Sequence, residues 1–348
     1  MPFDALEEEE LNVTSPDRSG ISRRVFVKKS SLLAGGVIAG AASQQTALTQ
    51  EPATVDAGPF PTRVLGRTKQ EVTTLTLGTA PCGLSPKIPP AEIAKIVDEA
   101  LELGITSIDT APAYKQSEEG IGMTLGKRRK EIFLATKVLA DTLDEAEQSL
   151  AKSFELVRTE WFDLVYYHSV GDHDIEKATA PGGVFDWLVK QKKAGKFRFL
   201  GISGHHMPKM FLPLIETGEV DVLLTVVNFV DRHTYGFEDK VLPVARKHNV
   251  GIVAMKVFGG ARKSAGSYGN PKAPPELDLE YLEQAVRYSL GTPGVATANI
   301  GVHNREQLRK NVAMVRNYQA LSDDEQQGLT TLGRKLARQW GAHFGNVS

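Results

Sequence analysis

Cysteine is nearly missing from this chain: Cys82 stands alone among 348 residues. A single thiol excludes an intramolecular disulfide framework and a metal cluster held by several thiolates, and leaves the part of a small buried hydrophobe. An excess of either charge is missing too, since 41 basic residues face 42 acidic ones for a formal net charge of −1. No basic block marks a nucleic-acid surface, so nucleic acid is not expected as a partner. The weakly apolar stretch from Ser30 to Ser43 is too short, and too rich in Gly and Ala, for a comfortable membrane span, so no stable insertion is expected. A GxGxxG fingerprint is lacking after the first strand-like run, where the chain reads GTAPCGL. That counts against an open, doubly wound dinucleotide fold. The related spacing at Gly120, Gly122 and Gly126 follows a loop rather than a strand and is not expected to cradle phosphate.

What is present begins with an atypical N-terminus. Residues 1 to about 20 are polar and acidic and read as disordered. Ser22, Arg23, Arg24 and Phe26 then form a twin-arginine pattern, with Lys28 and Lys29 adding to the basic region. Small apolar residues follow up to Ser43, and Ala39-Gly40-Ala41 suits cleavage. The order of charge, apolar run and small residues resembles a Tat export signal over residues about 20–43. An interfacial helix that happens to contain Arg-Arg is the alternative. Residues 1–60 are therefore assigned to a disordered terminus, signal and linker. Export to the periplasm is the expectation, with the Tat machinery as a partner. A cytoplasmic or membrane-tethered protein is expected if the signal is idle or uncleaved.

From residue 61 to 348 the pattern predicts one domain. TRVLGRTKQEVTTLTLG reads as a hairpin, with turn residues at Gly66 to Lys69. Strand signals follow at Leu75 to Thr79, Ile105 to Asp109, Ile132 to Lys137 and Leu164 to His168. Four more lie at Phe199 to Ser203, Val222 to Val227, Ile252 to Met255 and Ala298 to Val302. Helix-like stretches such as AEIAKIVDEALELG and LDEAEQSLAKSFELVR separate them. Eight alternations predict an α/β fold, a (β/α)8 TIM barrel, with its active site at the strands' C-terminal ends.

Three consecutive strands end in titratable residues: Asp109, Lys137 and His168, with Tyr114 in the loop after the first of them. An unperturbed phenol, with a pKa near ~10, is a poor proton donor at neutral pH. A neighbouring ammonium favours phenolate, and a carboxylate keeps a partly buried ammonium charged. Asp109, Lys137 and Tyr114 thus make a relay of acid, cation and phenol, and His168 can orient a carbonyl oxygen. Taken singly, each has a structural explanation: a rim ion pair, a loop aromatic, a core histidine. Their convergence at one end of a barrel favours catalysis.

ITSIDTAPAY, SEEGIGMTLG, ATK and the strand ending in His168 together resemble the aldo-keto reductases, and VLGRT and GKFRFLGISG agree. The likeness runs from about Thr62 to Val315. It implies reversible reduction of a carbonyl by a nicotinamide cofactor, with Tyr114 as proton donor. It also implies cofactor contacts at Ser203, Asn228, Met255, Lys256, Gln307 and Asn311, and NADP as cofactor with NAD as an alternative. Departures are visible. Leu224 and Val227 replace a frequent Gln and Tyr, and Met255 replaces a stacking Tyr. Gly301 and Gln307 stand where NADPH-preferring members carry Lys and Arg; Arg305, Arg309 or Lys310 either substitute for them or lie on a solvated helix face. The loop from Phe258 to Asp278, with Arg262 and Lys263, reads as a lid over the cofactor or as a surface insertion. His205, His206, His233 and Tyr235 are expected near the substrate, and no metal site is expected. The expected partner is a small carbonyl or alcohol. The competing readings are a non-catalytic nicotinamide-binding redox sensor or partner subunit, and an unrelated barrel hydrolase or isomerase.

Overall fold

The computed structural model describes residues 58–262 and 269–348. The expected export signal and its linker, and Lys263, lie outside the described residues. Strands β1 (Thr62–Val64) and β2 (Glu71–Thr73) pair antiparallel as the expected hairpin. Eight parallel strands then close a barrel. They are β3 (Leu75–Gly78), β4 (Ser107–Asp109), β5 (Phe133–Val138), β6 (Phe162–Tyr167), β7 (Phe197–Gly204), β8 (Val222–Val226), β9 (Gly251–Met255) and β10 (Val295–Gly301). They follow one another in chain order, with β10 pairing back onto β3. The (β/α)8 barrel expected from the alternation is the fold observed. All eight strand positions match, with ends moved by up to three residues.

Two cores hold it. Inside the barrel, Ala135, Leu164, Tyr166, Val253 and Met255 fill the bore. Outside, helices lay apolar stripes on the strands; in Pro90–Glu102 the stripe is Ile93, Ile96, Val97, Ala100 and Leu101. Capping boxes start the helices Leu143–Val157, at Thr142 and Glu145, and Asp323–Trp340, at Ser322 and Glu325. Two glycines of the GxGxxxG stretch, Gly120 and Gly122, serve packing. A Cβ on Gly120 would come within 2.6 Å of Ile93, and one on Gly122 within 2.1 Å of the Leu156 carbonyl. The helix Ser117–Thr124 is thereby wedged between its two neighbours. Cys82 is fully buried, its thiol directed to the Thr79 carbonyl and its pKa pushed up to about 12 by burial.

The hairpin seals the floor of the barrel. The Arg67 amide donates to Asn249 O, and its guanidinium donates to Gly218 O and Val220 O, in the turns that lead into β9 and β8. Leu65 sits at 1% exposure in the same cluster as Val72, Leu164, Val222 and Val253. Among the described residues no helix is long and apolar enough to cross a membrane.

Leu65→Ala is expected to destabilise the domain by about 2–5 kcal/mol through lost burial and a residual cavity. The effect should appear as a lower denaturant midpoint at unchanged slope. An unmoved midpoint would mean that the hairpin contributes little to the barrel floor.

Candidate active site

The register of the parallel strands assembles the rim. Asp109 pairs with Ala135, so Lys137, two residues further along β5, points to the same face one rung higher. Lys137 Nζ lies 2.5 Å from Asp109 Oδ2 and donates to the Thr110 carbonyl at 2.7 Å. Both side chains are buried, at 1% and 5% exposure. An isolated charge at that depth costs several kcal/mol, and its partner offsets most of that. Burial still pulls the Lys137 pKa down, against the opposing pull of Asp109. The Asp109 backbone is pinned as well, its carbonyl accepting from both the amide and the hydroxyl of Thr79. Asp109 Oδ1 is buried without a hydrogen-bond partner.

Tyr114 ends the short turn Pro112–Tyr114, closed by Lys115 at φ +52°. That turn packs directly on Gly83, where a Cβ would come within 2.3 Å of the Tyr114 carbonyl, and Gln116 N donates to Gly83 O. Only a glycine lets the chain after β3 approach this closely. The Lys137 ammonium lies 4.8 Å from the centroid of the Tyr114 ring, within cation–π range. His168 follows β6 and meets the Tyr114 ring edge-on, with centroids 6.3 Å apart at 86°. Its amide donates to Val138 O, and its carbonyl engages the ring of His173, itself bonded to Asp141. Burial first, then the charges of Lys137, His173 and Lys256, pushes the His168 pKa down to about 3. The ring is therefore neutral near pH 7 and keeps a single N–H to offer. All four expected catalytic residues come together at one end of the barrel.

The residues expected to touch a cofactor divide in two. Ser203, near the end of β7, has a buried hydroxyl with no partner, as a site awaiting a polar group would. Met255 ends β9 in the barrel's inner core, beside Tyr166 and Leu224. Lys256, Gln307 and Asn311 line one cavity of about 270 Å³ that runs beside β10 and the helix Arg305–Arg316. Asn228 differs, because its amide is already engaged. It donates to Asp231 Oδ2 and Lys256 O and accepts from the amides of Val230 and Asp231. In this arrangement it braces the loop after β8 and holds Lys256 at φ +55°. Arg305 and Arg309 turn away from the cavity to Glu99, and of the three possible substitutes Lys310 alone lines it. Arg262 is bonded to Glu276 O and Asp278 within its own loop. The orphaned Ser203 hydroxyl and a largely apolar cavity carrying a few polar side chains fit a nicotinamide dinucleotide.

Other residues at the mouth carried no motif. Phe344 stacks near His205 and lies 5.7 Å under the Lys256 ammonium. Its amide is held by Tyr235 Oη, while His343 bonds Asp231 and Asn346 O receives the Met207 amide. Burial holds the His205 pKa well below its usual value. His206 faces Asp172, and His233 lies against Gly333 of the Asp323–Trp340 helix. Asn299 of β10 borders both the cavity and the bore. An aromatic beside glycine in the last six residues was the available signal for the tail; Asn299 gave none. Among the described residues no group of three His, Cys, Asp or Glu could hold a metal ion.

A closed parallel barrel with a buried acid–lysine pair under a phenol, an imidazole beside it and an adjoining cleft defines a barrel oxidoreductase. The chain belongs to the Aldo/keto reductase family, whose model matches residues 74–280. Members of this family bind nicotinamide cofactors. L-galactose dehydrogenase of Arabidopsis thaliana is 26% identical over 300 residues, covering 76% of this chain and 91% of the relative. The fold is shared with aldo-keto reductase AKR11C1 of Bacillus halodurans in its holo form, at a TM-score of 0.65 and 22% identity over 82% of this chain and 100% of that one. It is shared too with an aldo-keto reductase of Klebsiella pneumoniae in complex with NADPH, at a TM-score of 0.59 and 17% identity over 77% and 94%.

The His168 pKa has a consequence for stability. Between the ordinary value of 6.5 and about 3, the unfolded chain binds a proton that the folded chain refuses. Stability is therefore expected to fall as pH drops through that window, and to be independent of this ring above it. The NMR signals of the His168 ring should stay constant from about pH 8 to about pH 5, where an unburied imidazole titrates. A midpoint above about 5 would contradict a ring held neutral by burial.

Proposed function

We propose that this chain is an NAD(P)(H)-dependent aldo-keto reductase that reduces an aldehyde or ketone, or oxidises the corresponding alcohol, with Tyr114 as the proton donor. The observation that carries the reading is the convergence of Tyr114 and His168 on the buried Asp109–Lys137 pair at one corner of the rim. A nicotinamide cofactor held there would supply hydride to the carbonyl carbon in reduction and would take it from the carbinol carbon in oxidation. Tyr114 gives its proton to the carbonyl oxygen, and the Lys137 ammonium stabilises the negative charge left on the phenol. Asp109 keeps that ammonium charged in a buried site. Neutral His168 donates a hydrogen bond that orients the carbonyl. Ser203 would hold the carboxamide, Met255 would cover one face of the ring, and Lys256, Gln307 and Asn311 would line the arm reaching the adenosine. The resemblance favours NADP, with NAD the alternative, and a neighbour of the same fold binds NADPH. A sugar or a related hydroxyaldehyde is a reasonable first substrate class, because a relative at 26% identity is an L-galactose dehydrogenase.

Export belongs to the same proposal. The twin-arginine route carries folded proteins, so the barrel would leave the cytoplasm with its cofactor already held. Exchanging Arg23 and Arg24 together for Lys should keep the protein in the cytoplasmic fraction, with its barrel activity intact. An unchanged periplasmic share would remove the twin-arginine assignment.

Tyr114→Phe is expected to keep cofactor affinity and lose roughly 10²–10⁴-fold in turnover across a panel of carbonyls. Equal rates for both proteins would mean that the phenol donates no proton. Cofactor binding without turnover in the unaltered chain would favour the alternative of a redox sensor or partner subunit.

A further inference from the structure

The proposed proton relay leaves one buried acid of the same corner without a part. Glu118 sits in the first turn of the helix Ser117–Thr124 at 1% exposure. It follows Ser117, whose hydroxyl meets those of Thr79 and Thr110. The Thr136 hydroxyl donates to Glu118 Oε1 at 2.6 Å, while Glu118 Oε2 is buried without a hydrogen-bond partner. A carboxyl this deep and half satisfied is costly where packing alone is served, because an apolar side chain of similar volume would avoid the loss.

Its surroundings hold one opposite charge. Thr136 and Lys137 are consecutive in β5, so their side chains leave opposite faces of the strand. Lys137 reaches Asp109 at the rim. Thr136 faces the helix layer, where it meets Glu118 and lies 3.3 Å from the Ser153 hydroxyl of the helix Leu143–Val157. From the helix Pro90–Glu102 the neighbour is apolar, Ile93 against Gly120. Among these groups Lys137 carries the only charge. Burial lowers the Lys137 pKa, which Asp109 and after it Glu118 oppose, while Lys256 adds to the lowering. Burial likewise raises the Glu118 pKa, against the Thr136 hydroxyl and the Lys137 charge. A helix's first turn also favours a negative charge. Asp109 meets the ammonium with one oxygen, since its Oδ1 has no hydrogen-bond partner. The other groups facing Lys137 are the Tyr114 and Tyr166 rings, 4.8 and 5.7 Å from its ammonium.

Resting on the reading of Tyr114 as proton donor, we infer that Glu118 is a positioning residue for that step. It is a second carboxylate, set behind β5, whose charge keeps Lys137 an ammonium and so tunes the acidity of the phenol. From the helix layer it acts through Lys137 and touches no reacting atom.

The pH dependence of kcat for carbonyl reduction, measured on the full chain and on Glu118→Gln, tests it. Gln keeps the shape and can still accept from Thr136. Removing a negative charge lets neighbouring acids lose their protons more readily, so Lys137 and Tyr114 should both deprotonate at lower pH. The expected result is an alkaline limb moved down by at least about half a pH unit, with cofactor affinity unchanged. Glu118→Asp retains a carboxylate and should bring the limb back toward its original position. An unmoved limb in folded E118Q, or equal displacement in both variants, overturns the inference. The ¹³Cδ NMR signal of Glu118 in the unaltered chain gives a reading independent of turnover and of how the variants fold. It should report an ionised side chain at about pH 8; a protonated carboxyl there overturns the inference, since a neutral side chain supplies no charge. No turnover of any carbonyl by the unaltered chain would instead remove the oxidoreductase reading, and the inference with it.

Discussion

A buried ammonium held against a buried carboxylate is the constraint on which this molecule's chemistry depends. Lys137 and Asp109 sit 2.5 Å apart on adjacent strands, both shielded from water. Either ion alone would be untenable there, and would shed its charge or destabilise the rim. Together they place a fixed positive charge under the Tyr114 ring and close enough to His168 to help keep its imidazole neutral. One interaction therefore bears on both polar groups that are proposed to face a carbonyl substrate.

The rest of the barrel serves to keep that corner rigid. Tyr114 is not on a strand, so its position depends on the turn that carries it. That turn rests on Gly83 from the chain after β3 and is followed by a helix wedged through Gly120 and Gly122. Ser117 ties the start of the same helix to the hydroxyls of Thr79 and Thr110, next to the pinned carbonyl of Asp109. On another side of the same rim, the C-terminal tail links the loops after β7 and β8 through Met207, Asp231 and Tyr235, and sets Phe344 under the Lys256 ammonium. Side chains at the mouth are thus supported from more than one element, as preorganised chemistry requires.

The proposed cofactor arm follows a looser rule. Binding a dinucleotide needs a shaped cleft and a few donors, and these can be exchanged more freely than the groups that move a proton. Met255 offers an apolar cover without a ring's specificity, and the helix beside the cavity spends two arginines on packing against its neighbour.

Strand spacing, the charged strand ends and the hairpin were readable from the sequence because they are local: β-branched runs, turn residues and helical stripes announce themselves within about ten residues. The convergence of Asp109, Lys137 and His168 was readable for a related reason, since consecutive strands of a barrel are neighbours by topology. The direction in which a side chain spends its hydrogen bonds was not. Asn228 is absorbed by its own loop, Arg305 and Arg309 are drawn to Glu99, and Phe344 returns from the chain end to cover the mouth. Each of these depends on a partner remote in the sequence or on the exact path of a turn, and such contacts exist only once the chain has closed into a barrel.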